Sequence, residues 1–345
     1  MFAKSVDVEI YLNIMKTNTT LKKISQILDI SISTVSRALK NHPDISERTK
    51  QKVIDLANTL DYEPNAYAIN LRTNKSKLFG LIVPYVSFFF YDSFIAAVEE
   101  ECKQHGYSLM ILQSGDDPET EQMNIKLCRQ NRVSGVFACI TPHTKNIQPF
   151  RKLDEMDIPL IFFDKVPINE SCNKICVADA SAARLAADAI IIKHKKKVLA
   201  LFGNNNLSIT QKRKEAFTES FKQKSPKIKL ICDEALTTKE AREKTLSHFA
   251  QKNKPDTIFC MSDEILIGSM RALLELKLQI PSEVSVITIS NGFMPGLYFP
   301  EITYVETSGY KLGKLAFTRM MACLAGSTFQ QELTIESVLI EGGSL

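Results

Sequence analysis

Ser33, Thr34, Ser36 and Arg37, with Ile32 beside them, take the outward positions of a short helical pattern whose inward positions are Val35, Ala38 and Leu39. Small hydroxyls bond phosphate oxygens, a guanidinium can bond guanine bidentately, and an apolar tip can touch a thymine methyl. The set suits the floor of a DNA major groove. Ser31 and Asn41 stand at the two ends of the pattern and join the same candidate set, Ser31 with the chemistry of a helix cap. Upstream, Leu21, Ile24, Ile27 and Leu28 trace one face of another helix, which Thr20 can cap. Two helices separated by a tight turn form a helix-turn-helix pattern, in which the second helix reads the groove. A purely structural hairpin with a polar face gives the same local pattern.

The flanks separate these readings. A third helix is expected over Ser46–Leu60, with Ser46 as cap and Val53, Leu56, Ala57 and Leu60 as its buried stripe. Asp61-Tyr62-Glu63-Pro64-Asn65 then stops and restarts the chain, and Asn65 can cap a short segment, Ala66–Leu71. Charge follows the same division. The net charge of the 345 residues is +4, with 43 Lys and Arg against 39 Asp and Glu. Residues 1–77 hold 12 basic and 8 acidic side chains, and the remainder holds 31 of each. All the excess positive charge therefore lies beside the helix-turn-helix, where phosphate attraction needs it.

Other functions find little support. The sequence has no Walker A loop, no Gly-x-Gly-x-x-Gly after a strand and no Gly-x-Ser-x-Gly elbow, so no enzyme and no cofactor is expected. The five histidines, His42, His105, His143, His194 and His248, have no metal-ligand spacing and are expected at solvated helix ends or loops. Of the eight cysteines only Cys172 and Cys176 are close, with no further ligand to complete a zinc site. They are expected to be buried thiols of a cytoplasmic protein. No secretory signal is apparent in Met1–Ile14, and no apolar run has spanning length, so no membrane partner is expected.

From Leu78 onward apolar runs alternate with amphipathic helices. Strands are expected at Leu78–Val83, Ser108–Leu112, Gly135–Ile140, Leu160–Phe163, Val198–Phe202, Thr257–Met261 and Val284–Ile289. Between them lie helices at Phe94–His105, Glu119–Asn131, Ala180–Lys193, Gln211–Lys222, Lys239–Gln251 and Glu264–Leu276. Such alternation means parallel sheets covered on both faces, an α/β core of two Rossmann-like lobes preceded by a small all-α domain. Ligands in these folds sit beyond the carboxyl ends of the strands. Asp164, Arg213, Asp263 and Asn291 fall at such ends or in the following helix turn. Carboxylate, guanidinium and amide groups can each hold a pair of ligand hydroxyls. Each also has a plain structural role open to it. Asp263 or Ser262 can cap a helix, Asn291-Gly292 can be a turn, and Arg213 can sit on a solvated face with Lys212 and Lys214. Ser87 and Phe90 follow the first strand in Ser87-Phe88-Phe89-Phe90-Tyr91, where aromatic rings can stack on a sugar or fill a core.

Ser33-Thr34-Val35-Ser36-Arg37, Ile45-Ser46-Glu47-Arg48-Thr49 and Tyr62-Glu63-Pro64-Asn65 together resemble the LacI-type (LacI/GalR) family of bacterial transcription repressors, and the likeness runs on to about Leu339. The resemblance implies a periplasmic-binding-protein-like core and a DNA contact at Arg37. It also implies that Ala66–Leu71 forms a hinge helix whose Leu71 wedges into the minor groove. Phe162-Phe163-Asp164, Arg213-x-x-Ala216-Phe217 and Ser262-Asp263-x-x-Leu266-x-Gly268 match family patterns whose Asp, Arg and Asp line an effector cleft. The chain departs from the family at Asp29 in the turn, at Ala216, Leu266 and Thr288, and at Ser87, which lies where an Asn-Pro-Phe-Phe pattern is usual. The implied domains are an extension at 1–14, a helix-turn-helix domain at 15–63, a hinge and linker at 64–77, and a core at 78–345. Within the core, one lobe takes about 78–176 plus 306–330, and the other about 177–305 plus 331–345. The expected function is a repressor that binds a palindromic double-stranded operator as a homodimer and responds to a small molecule, a sugar or sugar derivative. The family's tetramerising extension is not expected. The competing expectations are a solute-binding protein without DNA function, or a regulator that answers to a corepressor or a protein partner.

Overall fold

The computed structural model describes residues 20–63 and 76–345. Residues 1–14, Asn65 and the whole expected hinge 66–71, with Leu71, lie outside the described residues. The chain divides into two compact units, residues 1–74 and 75–345.

Among its described residues the first unit has three helices: α1 (Leu21–Leu28), α2 (Ile32–Leu39) and α3 (Glu47–Thr59). Each begins with a hydroxyl that accepts an otherwise orphaned backbone N–H. Thr20 takes that of Lys23, Ser31 that of Thr34 and Ser46 that of Thr49, at 3.3, 3.0 and 3.3 Å. Asp29 closes α1 in the left-handed region, at φ 52° and ψ 46°. Asp tolerates this conformation better than most residues, so the tight turn forms without the family's usual glycine. Ile24, Val35, Ala38, Val53 and Ala57 are the buried centre, with Leu21, Leu28, Leu39, Leu56 and Leu60 packed around them. Ile27 departs from the expected apolar face. It lies at the edge of the stripe and is 50% exposed.

The second unit holds two six-stranded sheets. The first contains β1 (Leu78–Val83), β2 (Ser108–Gln113), β3 (Gly135–Ala138), β4 (Leu160–Phe163), β5 (Lys174–Val177) and β11 (Glu332–Ile335). Its order is β11-β5-β4-β3-β1-β2, and every pairing is parallel. The second contains β6 (Lys197–Phe202), β7 (Lys229–Glu234), β8 (Thr257–Cys260), β9 (Ser285–Ser290), β10 (Thr303–Glu306) and β12 (Val338–Ile340). Its order is β12-β10-β9-β8-β6-β7, parallel except for β12 against β10. The first lobe adds helices α4 (Phe89–Gln104), α5 (Pro118–Gln130), the short α6 (Gln148–Arg151) and α11 (Gly309–Leu324). The second adds α7 (Asp179–Ile192), α8 (Ser208–Lys224), α9 (Thr238–Phe249) and α10 (Asp263–Glu275). Central strands such as β6 and β9 are buried along their whole length, which is why they read as continuous apolar runs.

The chain changes lobes after β5, after β10 and after β11. This corrects one expected boundary: residues from 331 do not all join the second lobe, because β11 pairs with β5 in the first. Four strands were not expected from sequence, β5, β7, β10 and β11, whereas the family resemblance implies a last strand near Ser337–Ile340 in the second lobe, where β12 lies. The clearest case is β7, an edge strand with no fully buried position, so Lys229-Leu-Ile-Cys-Asp-Glu carries no continuous apolar run. Cys232 on this strand is exposed, unlike the buried thiols expected, and all eight cysteines are free. Helix α4 begins at Phe89, five residues before the expected start, so the aromatic cluster itself opens the helix.

Helices α9 and α10 pack face to face at Gly268. A Cβ there would come within 2.8 Å of the Ala241 methyl and would press on the Thr238 carbonyl oxygen. That carbonyl belongs to a helix and cannot rotate away. Gly268→Ala is therefore expected to destabilise the core by about 1–3 kcal/mol, the usual cost of overpacking. Equilibrium urea denaturation checks this, and an unchanged midpoint contradicts the packing.

Candidate functional site

The outward face of α2 carries the groove-reading set. Ser31, Ile32, Ser33, Arg37 and Asn41 are exposed, and Thr34 and Ser36 are half-buried. Ile32 is 47% exposed, as an apolar tip meeting a base methyl must be. The Ser31 hydroxyl lies 2.7 Å from that of Ser33 and 2.8 Å from that of Thr34, so three hydroxyls cluster at the helix start. Helix N-termini are suited to phosphate, because their N–H groups and dipole favour an anion. Asn41 lies two residues past α2 at φ 54°, a turn position that an amide side chain tolerates. Among the described residues Arg37 makes no ion pair, which leaves its guanidinium open to a partner outside this domain.

A cleft of about 350 Å³ opens between the two lobes at the carboxyl ends of their strands. Phe90, Asp164, Arg213, Asp263 and Asn291 all line it, and Ser87 does not. Ser87 is exposed, in the loop before α4. The expectation for Ser87 is thus corrected: α4 starts so early that Phe88, Phe90 and Tyr91 form this wall instead.

Asp263 is the first residue of α10, and the cap is Ser262, whose hydroxyl accepts the Ile265 N–H. Capping therefore does not account for Asp263. Its side chain is 6% exposed, and Oδ1 is buried without a hydrogen-bond partner. Burial pushes its carboxyl up to about 6, with Ser290 and the Asn291 N–H pulling partly against that shift. Thr210, one turn before Arg213 on α8, also lines the cleft with a buried and unpartnered hydroxyl. Orphaned buried polar atoms are rare enough in native proteins to mark a place prepared for a ligand or a bound water.

Arg213 is not on a solvated face. Its Nε donates to Asp179 Oδ1 at 2.8 Å and its Nη1 to the Met261 carbonyl at 2.9 Å, with 5% of the residue exposed. Burial raises the Asp179 carboxyl to about 6 despite the Arg213 charge beside it. Asp164 sits at φ 57° at the end of β4 and is 8% exposed. The Tyr91 hydroxyl donates to its Oδ2 at 2.6 Å. Burial, then the charge of Asp164, push the Tyr91 phenol well up, which keeps it a donor. Asn291 spans the lobes. Its Nδ2 donates to the Phe89 carbonyl at 2.8 Å, while its Oδ1 accepts the Phe293 N–H. The substituted family positions are accommodated, and the Thr288 hydroxyl donates to the Cys260 carbonyl at 3.0 Å.

The sequence reading missed Tyr91, Thr210, Asp179 and Lys165. Tyr91 sat inside the aromatic run already singled out, while Thr210 and Lys165 lie three residues before Arg213 and one after Asp164. Asp179 gave no signal, because β5 before it was not recognised. No cluster of metal-ligating side chains exists among the described residues, and none of their helices is long and apolar enough to cross a membrane. His143 is exposed on a turn that lines the cleft, as expected of a loop histidine, whereas His248 pairs with Asp233 at 3.0 Å and is more engaged than expected.

A capped helix-turn-helix and a two-lobed ligand-binding core on one chain define a ligand-responsive DNA-binding regulator. Residues 20–65 match the family described as bacterial regulatory proteins, lacI family. Residues 76–341 match the periplasmic binding proteins and sugar binding domain of LacI family. The chain belongs to the LacI family of bacterial transcription regulators. It is 26% identical over 307 residues to the HTH-type transcriptional repressor PurR of Vibrio vulnificus, covering 86% of this chain and 90% of that one. It is 24% identical over 329 residues to the HTH-type transcriptional regulator RegA of Clostridium saccharobutylicum, covering 94% and 98%. The fold is shared with the Lac repressor dimer bound to operator and the anti-inducer ONPF, at 19% identity and a TM-score of 0.84, covering 95% of this chain and 99% of that one.

Glu121 holds the cleft wall in shape. It is 2% exposed and accepts the Thr141 N–H and the Thr144 hydroxyl, fixing the loop that carries Pro142 and His143 into the cleft. Burial raises its carboxyl from 4.5 to about 7. The folded carboxyl keeps its proton to higher pH than the unfolded one, so its burial cost appears as pH rises through that window. Relative to Glu121→Gln, the native protein is expected to lose up to about 3 kcal/mol between the two pH limits. Paired denaturation curves at pH 4.5 and 8 check the sign, and a constant difference contradicts it.

Proposed function

We propose that this protein binds a palindromic operator as a homodimer and represses transcription in the cytoplasm, acting by binding and not by catalysis. Helix α2 enters the major groove with Ser33, Thr34, Ser36 and Arg37 toward base edges and phosphates. Ser31 and Asn41 hold the backbone at its ends, and Ile32 meets a thymine methyl. Asn65 and Leu71, outside the described residues, act in a hinge segment, with Leu71 as a minor-groove wedge. A sugar or sugar derivative binds between the lobes against Phe90, Asp164, Arg213, Asp263 and Asn291. Its effect on operator affinity must equal the operator's effect on its own affinity. The observation that carries the effector site is the set of three buried atoms without a hydrogen-bond partner at the cleft, Asp263 Oδ1 and Thr210 Oγ1 in the second lobe and Asp116 Oδ1 in the first.

Arg37→Ala is expected to cost about 1–3 kcal/mol of operator affinity, the worth of a bidentate guanine contact. Fluorescence anisotropy on labelled operator duplex measures this, and an unchanged affinity removes Arg37 from the interface. Asp263→Ala is expected to abolish the effector-dependent shift in operator affinity, because it removes the unpaired acceptor from the cleft. The comparison is an operator titration with and without effector on both proteins. A variant that responds like the native chain assigns Asp263 to the start of α10 alone. Arg213 is a poorer test, since removing it strands Asp179.

A further inference from the structure

The charges that line the cleft restrict what it can hold. Among the described residues they are four carboxylates, Asp116, Asp164, Asp263 and Glu264, against two cations, Lys165 and Arg213. Each cation already has a carboxylate beside it, Arg213 through a hydrogen bond and Lys165 by charge alone. Lys165 Nζ lies 3.6 Å from Asp116 Oδ1, and Arg213 Nε lies 2.8 Å from Asp179 Oδ1. Asp179 adds a fifth carboxylate immediately behind the wall, 4% exposed. Asp164, Asp263 and Glu264 make no ion pair among the described residues. A phosphate or carboxylate entering here gains no uncommitted cation and meets unbalanced negative charge, where a half-buried site screens repulsion less than water does.

The hydrogen-bonding groups agree. Asp164 is occupied by the Tyr91 hydroxyl at 2.6 Å, so the first lobe offers aromatic surface at Phe88 and Phe90 and one carboxylate oxygen without a hydrogen bond, Asp116 Oδ1. The second lobe offers Asp263 Oδ1, which as a carboxylate oxygen only accepts, and Thr210 Oγ1, which can donate or accept. What is missing is a donor aimed at Asp263.

We propose that the cleft takes a non-anionic polar ligand, whose N–H or O–H donates to Asp263 Oδ1 beside the Phe88 and Phe90 rings, and rejects phosphorylated and carboxylated relatives of that ligand. Neutral polyols and amino sugars share this chemistry. The assignment rests on the reading of the cleft as an effector site.

The test is a thermal-shift screen of the full-length protein, followed by calorimetry on every compound that shifts it. The panel uses matched sets on hexose and pentose skeletons: the neutral sugar, its amino sugar, its terminal phosphate and its uronate. The expected result is that a neutral or amino member binds about tenfold or more tighter than its phosphate and uronate partners, the factor a stranded buried acceptor brings. Asp263→Asn should narrow that gap. A preference for the amino over the neutral member identifies the amine as the source, and equal binding identifies the polyol. Tighter binding by a phosphate or uronate overturns the assignment and leaves the effector reading standing. If no member of any class binds, both fall.

Discussion

The ion pair between Arg213 and Asp179 is the constraint around which the second lobe's wall is built. Neither residue is more than a twentieth exposed, and the guanidinium also donates to the Met261 carbonyl just past β8. It therefore joins the second turn of α8, the first residue of α7 and the end of a central strand. Two desolvated charges are costly, and Coulomb attraction repays that cost only with good geometry and further hydrogen bonds. Asp179 remains raised to about 6, so the pairing offsets its burial incompletely. Removing one partner would leave the other charged and buried, a loss on the order of 3–5 kcal/mol. With Arg213 fixed, Thr210 one turn earlier and Asp263 at the start of α10 are held toward the same space.

The first lobe solves the same problem differently. It spends a carboxylate on a phenol, Asp164 on Tyr91, and holds the backbone there in the left-handed region. Each lobe thus orders its own wall. Contacts that cross between lobes are fewer and more exposed: Asn291 to the Phe89 carbonyl, the Phe89 and Phe293 rings 5.5 Å apart, and Lys212 to Glu332 at 2.9 Å. Surface ion pairs of this kind contribute little. The angle between lobes is therefore softer than either lobe. A molecule that touches both walls can bias it, to the extent that it binds one arrangement better than another.

Much of this was legible in the residues. Thr20, Ser31 and Ser46 were readable as caps because capping is local, a hydroxyl meeting an N–H three residues on. Asp29 was readable in the turn for the same reason. Most strands that could be found were buried on both faces; β2 was found although it has no buried position, and β5, buried throughout, was missed. What escaped depended on distant partners. Ile27 has helical spacing that suits a core, yet half of it stays exposed. Ser87 was displaced by an aromatic helix start that only packing against the lobe could favour. Asn291 could be read as a turn or a ligand contact, and the inter-lobe bond to Phe89, 202 positions away, was invisible to either reading. Arg213 among lysines looked solvated until Asp179 stood opposite it.

If the protein acts as proposed, a symmetric pair of α2 helices reads a particular DNA sequence. The most direct measurement is in vitro selection by the full-length protein from a random double-stranded library. The selected pool should converge on a single inverted repeat, with its two halves related by the twofold symmetry of the proposed homodimer. A pool that stays random after repeated rounds, or that converges on a lone half-site with no inverted partner, would contradict it.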